Sequence, residues 1–106
     1  MTDHEVPPID IGYGHSIRFY GWAPDRALNP QYAGLPDIDR AAVEVTHTKP
    51  DGSPCMSAAT FDTVPGTEPH RTWHVEQDDP LTLSPSLLCT ACGDHGFIRN
   101  GQWVPA

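Results

Sequence analysis

The chain has 106 residues, 12 of them proline, a hydrophobic fraction of 38%, and a formal net charge of −8 from 14 Asp plus Glu against 6 Lys plus Arg. That length makes one small domain with a thin core, which a metal staple would help to fold. The acid excess, with Lys49 as the single lysine, excludes recognition of a phosphate backbone or an anionic bilayer, because both call for clustered Lys and Arg.

Residues 1–106 read as one domain in three stretches. The first is an irregular N-terminal arm over 1–15, carrying Pro7-Pro8 and two glycines. No apolar run follows Met1-Thr2-Asp3-His4-Glu5, so neither a signal peptide nor a membrane span is expected. The second stretch, 16–62, opens on a strand from Ser16 to Trp22, with Ile17 and Phe19 on one face and Arg18 and Tyr20 on the other. From Ala23 to Arg40, Pro24, Pro30 and Pro36 rule out a long helix. This part reads as a long ordered loop with one helical turn near Asp37 to Ala41.

Ala42 to Thr48 is a strand that places Val43, Val45 and His47 on one face. Lys49-Pro50-Asp51-Gly52-Ser53 has turn chemistry, and Cys55 to Phe61 returns as the partner strand. This hairpin brings His47 and Cys55 to one end of a sheet. Asp62 to His70 is a polar loop. In the third stretch, 72–106, Thr72 to Glu76 is a short strand and Leu81 to Leu88 is an extended segment bent at Pro85. Asn100-Gly101 between Phe97-Ile98-Arg99 and Gln102-Trp103-Val104 signals a two-residue hairpin that sets Ile98 opposite Trp103 and Phe97 opposite Val104. The fold class these elements make is mainly β: a small hairpin-rich sheet or partly open barrel, with a zinc-ribbon-like knuckle and hairpin at the C-terminus.

The knuckle is Cys89-Thr90-Ala91-Cys92-Gly93-Asp94-His95. Two thiols and an imidazole in C-x2-C-x2-H spacing are the donors that zinc prefers in a closed tetrahedron. Gly93 falls where such a loop needs a positive φ. A disulfide, or free thiols beside a surface histidine, is the plain alternative. Three cysteines cannot all pair within one chain, which favours a reducing cytoplasm over a secreted disulfide scaffold. The fourth ligand is assigned to Cys55, because thiolate is the better zinc donor. The expected metal site is therefore Cys55, Cys89, Cys92 and His95, holding zinc. For Cys55 the competing reading is a small buried hydrophobe. His47 competes with Cys55 for the fourth place, where it would give Cys2His2; its other readings are a satisfied core residue, or a ring that donates an N–H to a ligating sulfur. His70 and His74 read as solvated.

Several catalytic patterns are missing. No His-x-Glu precedes Cys89, as a nucleobase deaminase would require. Gly93 and Gly96 argue against the helix that a redox Cys-x-x-Cys wants. No phosphate-binding glycine loop is present, and no Ser-His-Asp order can be defended.

Trp73, then Pro80-Leu81-Thr82-Leu83-Ser84-Pro85-Ser86-Leu87-Leu88, then His95-Gly96-Phe97-Ile98-Arg99-Asn100-Gly101 resembles a family of small bacterial and phage proteins of uncharacterised activity. Leu28-Asn29-Pro30-Gln31-Tyr32 and the Trp103-Val104 ending look like the version carried by actinobacteria and their phages. The resemblance implies a Cys/His metal site and no established activity. Many members place a Cys immediately before the His, where this chain has Asp94, so the ligand geometry does not carry over.

The expected function is a zinc-stabilised, non-catalytic accessory or protein-interaction module. It would be phage- or prophage-associated, meeting a partner protein or a second copy of itself through an acidic surface with Trp22 and Tyr32. The expected location is the cytoplasm, that of the host if phage-encoded, or a virion. The alternatives are a virion-associated shell or tail component, and a small zinc-dependent hydrolase working through a metal-bound water with Asp94 as base.

Overall fold

In a computed structural model of the chain, described over residues 7–106, nine strands form three antiparallel sheets. Strands β1 (Ile9–Gly12), β2 (His15–Trp22), β3 (Ile38–Thr48) and β4 (Pro54–Thr60) make a four-stranded meander in chain order. Strands β5 (His74–Gln77) and β6 (Thr82–Ser84) make a two-stranded sheet, and β7 (Leu87–Leu88), β8 (His95–Arg99) and β9 (Gln102–Pro105) a three-stranded one. The fold is mainly β, as the alternation of apolar residues predicts, and the sheets do not close into a barrel.

One buried cluster joins all three sheets. Ile11, Ile17, Val43, Val45, Ala59 and Phe61 come from the meander or its end, Leu81 and Leu83 from the second sheet, and Leu87, Ile98 and Trp103 from the third. Alternation produces this directly: Val43 and Val45 are fully buried, while Glu44 between them and Thr46 after them are half-buried. The Asn100-Gly101 turn docks on the second sheet, where Asn100 N–H donates to Thr82 Oγ1 at 2.8 Å and Gly101 N–H to Leu81 C=O at 2.8 Å. The C-terminal hairpin pairs Ile98 with Trp103 and Phe97 with Val104, in the predicted register.

Two expectations are corrected here. The arm is not irregular where it is described, since Ile9–Gly12 forms β1 and pairs with β2, Ile9 opposite Ile17. Gly12, Tyr13 and Gly14 all have positive φ, a turn that two glycines make accessible, and it delivers Ile11 into the core. Residues 1–6 lie outside the described part. The helical turn expected at 37–41 is absent, because β3 already begins at Ile38. The loop's single turn of 3-10 helix is Pro30–Tyr32 instead, where proline at the first helical position costs no hydrogen bond.

Gly96 is where the third sheet is tightest. A Cβ there would approach Trp103 Cζ2 to 2.5 Å and Val104 C=O to 2.8 Å. The Trp103 ring fills the space that a side chain would need. Gly96→Ala is therefore expected to destabilise the fold by ~3 kcal/mol, the upper range for overpacking a core, as read from urea unfolding. A change below ~0.5 kcal/mol, the scatter of neutral surface substitutions, would show that β8 and β9 spread freely.

Candidate functional site

Two groups of reactive side chains lie on opposite faces of the β7–β8 pair. The first is a thiol and imidazole cluster. In the β3–β4 hairpin His47 pairs directly with Cys55, and both side chains are buried. The Cys89–Cys92 knuckle reaches them from the third sheet. Its turn is closed by three backbone bonds: Cys92 N–H to Cys89 C=O at 3.4 Å, Gly93 N–H to Cys89 C=O at 2.7 Å, and Cys89 N–H to Asp94 C=O at 2.8 Å. Gly93 has φ +80, the left-handed conformation expected of it.

His47 Nε2 lies 2.9 Å from Cys92 Sγ, and Cys55 Sγ lies 3.5 Å from Cys89 Sγ. The four donor atoms of His47, Cys55, Cys89 and Cys92 all fall within 4.8 Å of one another and can hold a metal ion. Tetrahedral thiolates around zinc sit about 3.8 Å apart, given Zn–S bonds of about 2.3 Å, so the donor set fits such an ion in type and spacing. The thiols are free, not disulfide-bonded. Burial, then the neighbouring Cys89 and Cys92, pushes the Cys55 thiol up to about 11. For Cys89 burial also acts to raise the thiol, but hydrogen bonds from Cys55 and Cys92 and from the Ala91 and Cys92 backbone win and hold it below its ordinary value. Cys89 is thus the first of these two thiols to offer a thiolate.

Of the four expected ligands, the structure brings Cys55, Cys89 and Cys92 together and leaves His95 outside, with His47 in its place. The β-register is the reason. Leu88 pairs with His95 and Leu87 with Gly96, so side chains alternate across the pair. Leu87, Cys89 and Gly96 face inward and are buried, while Leu88 and His95 face outward and are exposed. His95 begins its strand on the wrong face for the knuckle.

That outward face carries the second group. One step further along the register, Ser86 is a diagonal neighbour of His95. Ser86 Oγ lies 2.8 Å from His95 Nε2. Ser86 is half-buried and His95 exposed, so a hydroxyl and an imidazole meet at the surface. The Ser86 main chain is anchored, since Trp73 Nε1–H donates to Ser86 C=O at 3.2 Å. Trp73 is in turn tied to the end of β4 by a bridge to Phe61, with Trp73 N–H on Thr60 C=O and Asp62 N–H on Trp73 C=O, each at 2.9 Å. Leu88, 54% exposed, and Phe97, with the Arg99 guanidinium 4.1 Å above its ring, lie on the same face as the pair. No Ser-His arrangement is defensible on chain order alone, yet the fold builds one. The signal was the antiparallel return across the knuckle, which puts residues two before Leu88 and directly opposite Leu88 on one face.

One further residue escaped the sequence reading, and another has a different partner from the one expected. His15, assigned no role there, is buried and stacked on Trp103, ring centroids 4.1 Å apart. Its Nε2 lies 2.7 Å from Asp94 Oδ2 and its Nδ1 2.7 Å from Tyr13 C=O. Asp94, expected as a base for a metal-bound water, is bound to His15 instead.

A protein-family model described as "Bacterial ubiquitination-like system serine protease (BubE)" matches residues 44–106, more than half of the chain. No curated protein and no solved structure matches. The matched segment contains Trp73, Ser86, His95 and all four donors of the thiol cluster. This overturns the expectation of a non-catalytic module, because the family is described as a protease. The hydrolytic alternative fits it better.

Proposed function

The chain belongs to the bacterial ubiquitination-like system serine protease (BubE) family, and from that premise we propose that it is a serine peptidase with Ser86 as nucleophile and His95 as its base. The observation that carries the assignment is the 2.8 Å contact between Ser86 Oγ and His95 Nε2, within the distance at which an imidazole takes a hydroxyl proton. With its own proton on Nδ1, His95 accepts the Ser86 O–H at Nε2. As Oγ attacks a peptide carbonyl carbon, that proton passes to Nε2. When the C–N bond breaks, the imidazolium returns it to the leaving amine, and a serine ester remains. Water, deprotonated by the same Nε2, then hydrolyses the ester. Trp73 holds the Ser86 backbone in place through each step, and Leu88 and Phe97 offer an apolar seat for the acyl part of the substrate. The substrate class follows from the family description: a protein of the ubiquitination-like system.

The buried cluster is a zinc site in this reading. His47, Cys55, Cys89 and Cys92 would hold the ion, and a donor set of three thiolates and one imidazole is typical of structural zinc, so the metal's contribution would be structural. Bound there, it would clamp the loop between β7 and β8, the two strands that set Ser86 against His95. A metal-bound water with Asp94 as base is therefore set aside in favour of the serine. The test is labelling by a fluorophosphonate, which modifies activated serines. Mass spectrometry should find a single adduct on Ser86, blocked by Ser86→Ala. An adduct elsewhere, or none on the zinc-loaded chain, would overturn the proposal.

A further inference from the structure

The His47 ring is buried, and its Nδ1 has no hydrogen-bond partner. When Nε2 faces the thiol cluster as a ligand, the ring's proton must sit on Nδ1, and a buried N–H without an acceptor is costly. The closest carboxylate oxygen is Asp94 Oδ2, 3.9 Å away. That oxygen is already held at 2.7 Å by His15 Nε2. His15 is itself fixed, by Tyr13 C=O at 2.7 Å on its other nitrogen and by the stack on Trp103. Both neighbours of His15 offer acceptor oxygens, the Tyr13 carbonyl and the Asp94 carboxylate. His15 and His47 lie nearly parallel, centroids 5.3 Å apart with 19° between planes, and Asp94 Oδ2 lies beside both, bonded to His15 and 3.9 Å from His47 Nδ1. Asp94 also closes the knuckle through its own backbone, accepting from Cys89 N–H at 2.8 Å, and it immediately precedes His95.

We propose that Asp94 is a positioning residue that couples the metal centre to the catalytic pair: its carboxylate, anchored by His15, takes the Nδ1–H of His47 once a bound metal draws that ring about 1 Å into hydrogen-bond reach, and its backbone fixes the start of β8 at His95. Carboxylates that orient a ligating imidazole are a general feature of protein metal sites. Here the carboxylate is supplied by the loop that carries two of the thiolates and is braced from β2, so the metal is locked to both sheets at once. The link to catalysis rests on the serine peptidase reading. The effect on the metal does not.

The experiment measures zinc affinity by competition with a chromophoric chelator. Asp94→Asn should weaken zinc by about 10- to 100-fold, the usual loss when such a partner is removed. In a His47→Cys background the ligand needs no N–H acceptor, and Asp94→Asn should then change affinity by no more than about twofold. Unchanged affinity in the wild-type background, or an equal loss in the His47→Cys background, would overturn the proposal. If Asp94→Asn does not fold, His15→Phe decides the matter. It keeps a ring on Trp103 and removes the donor that anchors the carboxylate. A several-fold loss of affinity supports the coupling, and an unchanged affinity overturns it. Ser86→Ala should bind zinc like the wild type. Absence of serine labelling in the wild-type protein would defeat the peptidase reading and leave the zinc result to judge Asp94.

Discussion

Ser86→Ala is expected to abolish acyl transfer, lowering the rate by at least ~10³-fold, because removal of an activated nucleophile leaves only the catalysis supplied by binding. The measurement is the burst and steady-state hydrolysis of an activated ester, which needs no knowledge of the natural substrate. His95→Gln should cause a loss of the same order, since glutamine can accept a hydrogen bond but cannot carry the proton. The two losses should not add, because base and nucleophile act as one unit. Stability should change little. Ser86 is half-buried and His95 exposed, so the mutual bond contributes no more than ~1 kcal/mol. Each variant should therefore melt close to the wild type. A Ser86→Ala protein that still shows a burst would show that another group is acylated.

Metal removal should have the larger structural effect. A Cys3His zinc site contributes roughly 10 kcal/mol or more to folding, comparable with the entire stability of a domain this small, about 5–15 kcal/mol. The knuckle is the only connection between β7 and β8, and β7 has just two residues. Without the ion, that strand would be held by two ladder pairs, the buried Leu87, and the flanking bonds from Trp73 Nε1–H to Ser86 C=O and from Cys89 N–H to Asp94 C=O. A strong chelator should thus melt the third sheet and abolish fluorophosphonate labelling of Ser86, with zinc restoring both. Ligand identity is separable in the same preparation. His47→Ala should reduce zinc content sharply, whereas His95→Ala should retain one zinc per chain and lose only esterase activity. A cobalt-loaded protein should show thiolate charge-transfer intensity for three sulfurs, falling to two in Cys55→Ser. An unchanged melt after complete metal removal would contradict the structural role.

The corrections have a common cause. Local periodicity and turn chemistry are short-range properties, and the elements that depend on them were legible: the Val43/Val45 strand, the Cys55 return, the Asn100-Gly101 hairpin with its register, and the left-handed Gly93. The N-terminal strand was missed although Ile9, Ile11 and Ile17 alternate correctly, because a Gly-Tyr-Gly turn is a weaker hairpin signal than Asn-Gly and two prolines precede it. No helix among the described residues is long and apolar enough to cross a membrane.

From the sequence alone, residue chemistry and spacing determined that this is a small β protein and that Cys55, Cys89 and Cys92 are candidates for one metal site. The tertiary structure decided which imidazole joins them. His47 and His95 are equal as donors, and only the pairing of β7 with β8 shows that His95 faces outward while His47, opposite Cys55, faces in. The same pairing converts Ser86, nine residues before His95, into its partner. Side chains alternate across a sheet with a period of two, so a strand's register assigns every residue to one face or the other. Register is set by what packs against the strand, here Leu87 and Gly96 over Trp103, and by the loop that closes it.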